Sequence, residues 1–539
     1  MTAPPTAEPP RTAPQGSPRR RAPGAAVLVA AGIFLSRVAG LIRQRAFAHY
    51  LGTSPAADAF MAAIRIPNFL QNLFGEGALS ASFVPAYAGL LGRGDEERAR
   101  RVAAAVGTLL ALVTAALVLL GMLATPLLVD LIVSGFEGEK RALTIRLVRL
   151  LFPGIGLLVV SAWCLGVLNS HRRFFLSYVA PVLWNAAIIV ALLLQGRVGG
   201  APERFAVVAA WGAVVGSALQ LLVQLPPALR LLGGFRATLS LADEHVRGVL
   251  RNFAPALVSR GIVQVSAFVD STIASWLPDG AVTAVFSAQT IYTLPVSLFG
   301  MSVSVAELTA MSRDVGATGE VAGRLRTRLT DGLRRIAFFV IPSAVAFVAI
   351  GDVLAGALFQ TGRFSRGDVE WVWAILAGSA VGLLAATLGR LYASAFFALR
   401  DTDTPLRFSV VRIGIQIALG WLLSTQAPGW LGVDRRWGAA GITVASGISA
   451  WIEFLLLRRA MTRRIGAPAD ARAYVARLWG AALLAAAAAW GAKLLLGEQR
   501  PLILAAVVVA AYGAVYLGTT VAMRVGEAGA LVARITRRR

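Results

Sequence analysis

An all-α polytopic membrane protein, with about 14 transmembrane helices in two pseudo-twofold-related lobes around a central cavity, is the fold class the sequence predicts. Three observations predict it. Of 539 residues, 57% are hydrophobic and 15% charged, whereas soluble domains carry about a quarter charged residues. Apolar runs of about 20 residues recur along the whole chain, and hydrocarbon offers no partner for bare backbone groups, so each run is a helix. Finally, arginine is concentrated in alternate loops.

The elements follow in order. Residues 1–23, rich in Pro, Ala and Arg, read as a disordered cytoplasmic tail. Arg19–Arg21 before GAAVLVAAGIFL also resemble a signal peptide, but that apolar run continues straight into a patterned segment. Six apolar runs make a first lobe over 24–229: Gly24–Tyr50, Ala56–Leu91, Val102–Val133, Leu143–Leu168, Tyr178–Leu194 and Phe205–Leu225. The mixed polarity of 230–252 suits a cytoplasmic connector with an interfacial helix. A second lobe, 253–460, holds Phe253–Leu277, Ala281–Met311, Ile336–Phe359, Trp371–Leu399, Phe408–Leu423 and Ala439–Leu457. Residues 473–523 form a last hairpin of two runs, Leu478–Leu496 and Leu502–Val521, and 524–539 are a basic tail.

The net charge of +24 points to topology rather than nucleic acid, because no aromatic-studded basic domain accompanies it. Arginines crowd the loops at Arg93–Arg101, Arg172–Arg173, Arg324–Arg335 and Arg458–Arg464, and both chain ends. The loops near Thr53, Lys140, Pro202, Pro278, Arg363, Trp430 and Glu498 are poor in it. Both termini are therefore expected in the cytoplasm, which requires an even number of spans.

An internal repeat supports the division into lobes. Ser36-Arg37 and Ser259-Arg260 each open a helix pair whose second member carries a proline, Pro67 or Pro295, then a Phe-Gly pair, Phe74-Gly75 or Phe299-Gly300. The offset is about 225 residues, and an even number of spans between the copies gives them the same orientation, with a cavity at their interface.

The second run contains RIPNFLQNLFGEGALSASFVP, from Arg65 to Pro85, an unusual polar load for a membrane helix. At 100° per residue Asp58, Arg65, Asn72 and Glu76 form one stripe. A charge at mid-bilayer costs about 2.5–3.5 kcal/mol on insertion scales, so the stripe must face protein or water. The first run adds Arg37, Arg43 and Arg45. Arg37 and Arg43 lie about 120° apart and converge only across a bend or a wide cavity. A structural salt bridge accounts for Asp58 with one arginine. Too few carboxylates are present to pair Arg37, Arg43 and Arg65 together, and a guanidinium cluster suits a diphosphate.

Enzyme chemistry finds little support. His49, His171 and His245 lack metal-ligand spacing, and Cys164 is the single cysteine. Asp401 and Asp403 read as turn formers before Pro405.

These residues carry a resemblance. SRVAGLIRQRAFAHYLGTSPAADAFMAAIRIPNFLQNLFGEGALSASFVPAY is similar to the amino-terminal signature of the MurJ (MviN) lipid II flippases of the multidrug/oligosaccharidyl-lipid/polysaccharide exporter superfamily. LFQTGRFS, FFALRDTDTP and GAAGITVASGISAWIEFLLL resemble its second-half pattern in the right order. The resemblance implies a transporter, not an enzyme, in the bacterial cytoplasmic (inner) membrane. It would carry the undecaprenyl-pyrophosphate-linked glycopeptide lipid from inner to outer leaflet by alternating access, with membrane lipids and cell-wall synthesis enzymes as partners and no nucleic acid.

Residue by residue, it implies that Arg37, Arg43 and Arg65 hold the pyrophosphate and head group, and that Asp58 and Glu76 belong to a gate. Asn68 and Asn185 match further polar positions, which capping a kink explains equally well. The last hairpin matches the family's groove for the polyprenyl tail; plain anchoring predicts the same composition. Two departures concern the cavity: Gln44 follows Arg43 where an acidic residue is usual, and Gln289 and Thr290 stand where the eighth span usually has an arginine. Either the second lobe contributes less charge or Arg260, on the seventh span, replaces that arginine from another helix. Asp270 matches an aspartate that binds sodium in some relatives, yet Gln416 and Arg412 lie on the eleventh span. No cofactor is expected beyond a sodium ion or coupling to the membrane potential. Two other readings stay open: an exporter of another polyprenyl-linked oligosaccharide or a small molecule, and a transport-inactive scaffold for cell-wall enzymes.

Overall fold

In the computed structural model, residues 23–239, 243–301, 303–304, 307, 311, 318–467, 469–497 and 499–536 are described; the side chains of 23–30, 76–78, 80–81, 252, 254–267, 318–319, 321 and 534–536 lie outside that description. Every predicted apolar run lies largely on helix where it is described. Eleven helices among the described residues are long and apolar enough to cross a membrane.

The first lobe comprises α1 (Pro23–Leu51), α2 (Pro55–Phe74), α3 (Glu76–Gly92), α4 (Glu96–Leu123), α5 (Thr125–Ile132), α6 (Gly138–Ser170), α7 (Phe174–Val198) and α8 (Pro202–Leu231). The second run is thus two helices, not one. The break falls at Gly75, whose ψ of −137° leaves the helical region while its N–H still bonds Gln71 O at 2.8 Å. A single 100° wheel therefore does not carry the polar stripe past Phe74 to Glu76. The third run likewise divides at Ala124, and the ninth at Ile350.

Among its described residues the connector has no separate helix: 235–239 are irregular, and α9 (Glu244–Ser275) starts where Asp243 caps it, accepting the N–H of His245 at 2.8 Å. Arg98 pairs with the other Asp243 oxygen at 3.1 Å, tying the connector back to α4. These hydrogen bonds outweigh the cost of burial and hold the Asp243 carboxyl below its ordinary range.

The second lobe continues with α10 (Ala281–Pro295), α11 (Thr318–Ala349), α12 (Gly351–Phe359), α13 (Arg366–Ala398), α14 (Asp403–Trp421), the short α15 (Ala427–Leu431) and α16 (Gly438–Ile465). After Pro295, α10 loosens into a π-turn over Val296–Met301, as expected where proline removes a helical donor. Both Phe-Gly pairs of the repeat therefore sit where a regular helix is interrupted. α13 and α16 touch backbone to backbone, since a Cβ on Gly382 would collide with Gly447 Cα; small residues permit such approach in membranes.

The last hairpin, α17 (Arg472–Leu496) and α18 (Pro501–Ala522), precedes α19 (Gly526–Thr536). Its small-residue face docks on α11, where Tyr512 and Tyr516 donate to Pro342 O and Phe338 O at 2.7 and 2.6 Å. Proline at 342 leaves Phe338 O without its own helical donor, so Tyr516 supplies one. Leu483, Leu484, Leu494 and Leu495 remain exposed on the outer side.

Candidate functional site

The two lobes meet along α10. Three first-lobe side chains reach it in turn: Arg65 Nη2 donates to Gln289 Oε1 at 3.0 Å, Gln44 to Thr290 Oγ1 at 3.4 Å, and Arg37 Nη1 to Ser297 Oγ at 3.4 Å. Arg65 also donates to Ser271 on α9 and lies 5.9 Å from the Phe286 ring centroid. Residues 289, 290 and 297 lie about 20° to 100° apart on a helical wheel, so one flank of α10 and its π-turn receives them all.

Arg43 turns the other way. Its guanidinium stacks 4.8 Å over the Trp184 ring on α7, and its buried Nε has no hydrogen-bond partner among the described residues. Arg37 and Arg43 thus do not converge; one addresses the second lobe and the other lines the first. Arg45 is different again, donating to Ala357 O at 2.6 Å and Leu358 O at 3.4 Å, the terminal carbonyls of α12. It closes a helix end. Arg37, Arg43 and Arg65 form no ion pair among the described residues: Arg37 and Arg65 face the second lobe and Arg43 lines the first, with Asp270 near Arg65 but not bonded to it.

Asp58 is buried, with 1% of its side chain exposed. Its carboxylate accepts from Lys140 Nζ at 2.7 Å, from the backbone N–H of Gly280 and Thr283 at 2.8 Å each, and from Thr283 Oγ1 at 2.7 Å. An acidic group at the first turn of α10 also meets the helix's positive end. Gly280 makes the approach possible: its φ is +92°, and a Cβ there would press on Thr53 O. Lys140 continues to Asp279 at 2.9 Å.

Other cross-lobe bonds gather at this arginine-poor end. Thr53 donates to Asp368 at 2.6 Å, Arg363 N–H to His49 O at 2.9 Å, and Trp276 Nε1 to Ser134 Oγ at 2.9 Å.

The remaining candidates scatter. Asn185 is buried and donates to Pro181 O in its own helix at 3.0 Å. Asn68 is half-buried on α2. The side chains of Glu76 and Arg260 lie outside the described residues. Asp270 accepts from Gln416 Nε2 at 2.7 Å and lines a second-lobe pocket with Arg390 and Arg412. Among the described residues no group of three His, Cys, Asp or Glu side chains is placed to hold a metal.

Sequence reasoning missed Lys140 and Arg390. Lys140 stood in an arginine-poor loop and looked like ordinary solvent charge. Arg390 carried a signal that was available, a lone arginine inside the tenth apolar run.

Comparison with known proteins adds a consistent picture. The family model described as "Lipid II flippase MurJ" matches residues 47–509. A lipid II flippase MurJ of Burkholderia cenocepacia is 32% identical over 447 residues, 81% of this chain and 84% of that protein. A probable lipid II flippase MurJ of Thermotoga maritima is 31% identical over 435 residues, 79% and 83% of the two chains. Among solved structures, a lipid II flippase MurJ in an inward closed conformation superposes with a TM-score of 0.75 at 23% identity, covering 92% of this chain and 99% of its own. An inward-facing multidrug resistance MATE family transporter of the MOP superfamily gives 0.61 at 18% identity, covering 81% and 98%. Likeness at that identity speaks to fold alone.

Proposed function

This chain belongs to the lipid II flippase MurJ family, and from that premise we propose how its own residues carry out the transport. It is a multi-pass inner-membrane transporter rather than an enzyme, and its substrate is the lipid-linked peptidoglycan precursor.

Arg37, Arg43 and Arg65 grip the diphosphate. The observation that carries this is that none of the three guanidinium groups, two reaching across the lobe interface and one lining the first lobe, is ion-paired with a carboxylate among the described residues, Asp270 acting on Arg65 only through space. Each has neutral or aromatic neighbours that leave donors available, and such a cluster is retained in a membrane protein only where it faces an anion or water. The Gln289, Thr290 and Ser297 oxygens that now engage the first lobe are weak partners, readily exchanged for phosphate oxygens.

Asp58 is the latch. Three of its four bonds, to Gly280 and Thr283, hold α2 to the start of α10 and close the arginine-poor end, while the fourth ties it to Lys140 of its own lobe. Taking that end as periplasmic, with both termini cytoplasmic, agrees with the positive-inside rule. The domain boundaries proposed from the sequence fit this scheme: a first lobe over 24–229, a connector over 230–252, a second lobe over 253–460 and a hairpin over 473–523. The hairpin's exposed leucines suit a polyprenyl tail.

The donor set at Asp270 does not fit sodium. Gln416 presents its amide N–H to the carboxylate instead of an oxygen to a cation, and Arg390 and Arg412 supply positive charge in the same pocket. We read the energy source as membrane potential, because moving one charge through 100 mV is worth about 2.3 kcal/mol. Replacing sodium by potassium should leave transport unchanged, whereas collapsing the potential should abolish it.

The deciding experiment is rescue of cells depleted of their own lipid II flippase. The unaltered chain should restore growth and Arg43→Ala should not, at equal membrane abundance. Growth with Arg43→Ala would reject the arginine grip; no growth with either would reject interchangeability of this chain with that flippase.

A further inference from the structure

Behind α10, inside the second lobe, lies a cavity of about 280 Å³ between α9, α10, α13, α14 and α16. It is continuous with the lobe interface, because Gln289, which accepts from Arg65, is also part of its wall. Close contact of Gly382 and Gly447 opens its floor by replacing side-chain bulk with backbone.

Its charges are unevenly satisfied. Glu453 accepts from Ser409 Oγ at 2.7 Å and from Arg412 Nη1 at 3.2 Å. Asp270 is engaged by Gln416. Arg390, exposed to the cavity, forms no hydrogen bond or ion pair among the described residues, and the buried Nε of Arg412 lacks a partner too. Arg390 sits within an apolar span, about 12 Å of helix rise from the end of α13. A guanidinium there is costly unless it meets water or an anion. The volume holds a phosphate- or carboxylate-sized group with several waters, each of about 30 Å³.

We propose that this cavity is a second anion subsite, in which Arg390 receives an oxyanion of the carried lipid's head group alongside the grip of Arg37, Arg43 and Arg65. The inference rests on the flippase reading and deepens it. It gives the second lobe the cationic group that α10 itself, with Gln289, Thr290 and Ser297, does not present. Transfer of the head group from Arg65 past Gln289 to Arg390 would let both lobes hold the cargo while the latch at Asp58 opens. Arg390 is a binding residue and no bond is made or broken there.

The test uses the full chain in proteoliposomes containing lipid II, with initial translocation rates measured across lipid II concentration. Arg390→Ala should raise the half-saturating concentration about tenfold or more, the scale of a lost charge-assisted hydrogen bond. Arg390→Lys should recover most of the loss. Arg366→Ala, at the far exposed end of the same helix, should change nothing. Arg390→Gln keeps the side-chain length without the charge and decides the matter if Arg390→Ala does not fold. Unaltered half-saturation in folded Arg390→Ala or Arg390→Gln, with normal transport by the parent, overturns the subsite. No lipid II movement by the parent protein would instead strike the flippase reading.

Discussion

Asp58 Oδ1 accepts both the backbone N–H and the hydroxyl of Thr283, at 2.8 and 2.7 Å, and so fastens α2 of one lobe to the first turn of α10 in the other. The pairing needs no long side chain and tolerates little displacement, since both donors belong to one residue. Alternating access requires such a contact to break as a unit.

Removing the latch should therefore open the arginine-poor end. Asp58→Ala is expected to weaken closure by about 3 kcal/mol, the scale of charged hydrogen bonds lost from a buried site, and to depress transport. Cys164 is buried and is the single native cysteine, so Gln44→Cys gives a clean reporter. Labelling of Gln44→Cys by a membrane-impermeant maleimide should rise sharply when Asp58→Ala is added. Unchanged labelling would show that other contacts hold that end shut.

At Arg43 charge alone should not suffice. Its planar guanidinium stacks on Trp184 and retains donors for a phosphate, while lysine offers a point charge without the fork. Arg43→Lys is expected to slow lipid II translocation about tenfold or more, with thermal stability near that of the parent. Full activity of Arg43→Lys would show that bidentate geometry is irrelevant.

Arg45 should behave as a structural residue. Deleting its bonds to Ala357 O and Leu358 O leaves helix-end carbonyls unsatisfied, so Arg45→Ala should lose about 1–3 kcal/mol of stability. Its half-saturating lipid II concentration should stay that of the parent. A shift in half-saturation with unaltered melting temperature would place Arg45 in the substrate site instead.

The turn before α14 should be sensitive to acid. Asp401 accepts the backbone N–H of Thr404 at 3.0 Å and its hydroxyl at 2.8 Å, and Arg464 pairs with it at 2.5 Å. The Thr404 bonds, with the nearby guanidinium, hold the carboxyl below its ordinary 3.8. A depressed carboxylate stabilises the fold fully above the ordinary range and loses that contribution as pH falls through the lowered value. The melting-temperature gap between the parent and Asp401→Asn should be constant from pH 7 to about 5 and shrink below about 4. A gap that widens on acidification would reverse the assignment.

How much of this was legible in the sequence varies by residue. Arg65 was found because a charge in an apolar run must be explained, and the same rule applied to Arg390 would have found it. Asp58 was legible as a charge but not as a helix cap, because its partners, Gly280 and Thr283, lie more than 220 residues away. Gly75 was legible as half of a repeated Phe-Gly pair, yet only its ψ shows that the helix ends there. Arg45 differs from Arg43 by two residues and was indistinguishable from it in type. The carbonyls of α12 separate their roles.

The sequence by itself determined that the chain is a multi-pass membrane protein, which stretches are helical apart from the breaks at Gly75, Ala124 and Ile350, and that arginines inside the first two apolar runs outnumber the acids there. Those properties follow from solvation, since hydrocarbon forbids unpaired backbone and penalises every buried charge locally. Tertiary structure decided which arginine reaches the other lobe, which caps a helix, where the lobes are bonded together and that a second pocket opens behind α10. These depend on which distant groups meet within hydrogen-bond reach, a matter of packing between helices that no single helix encodes.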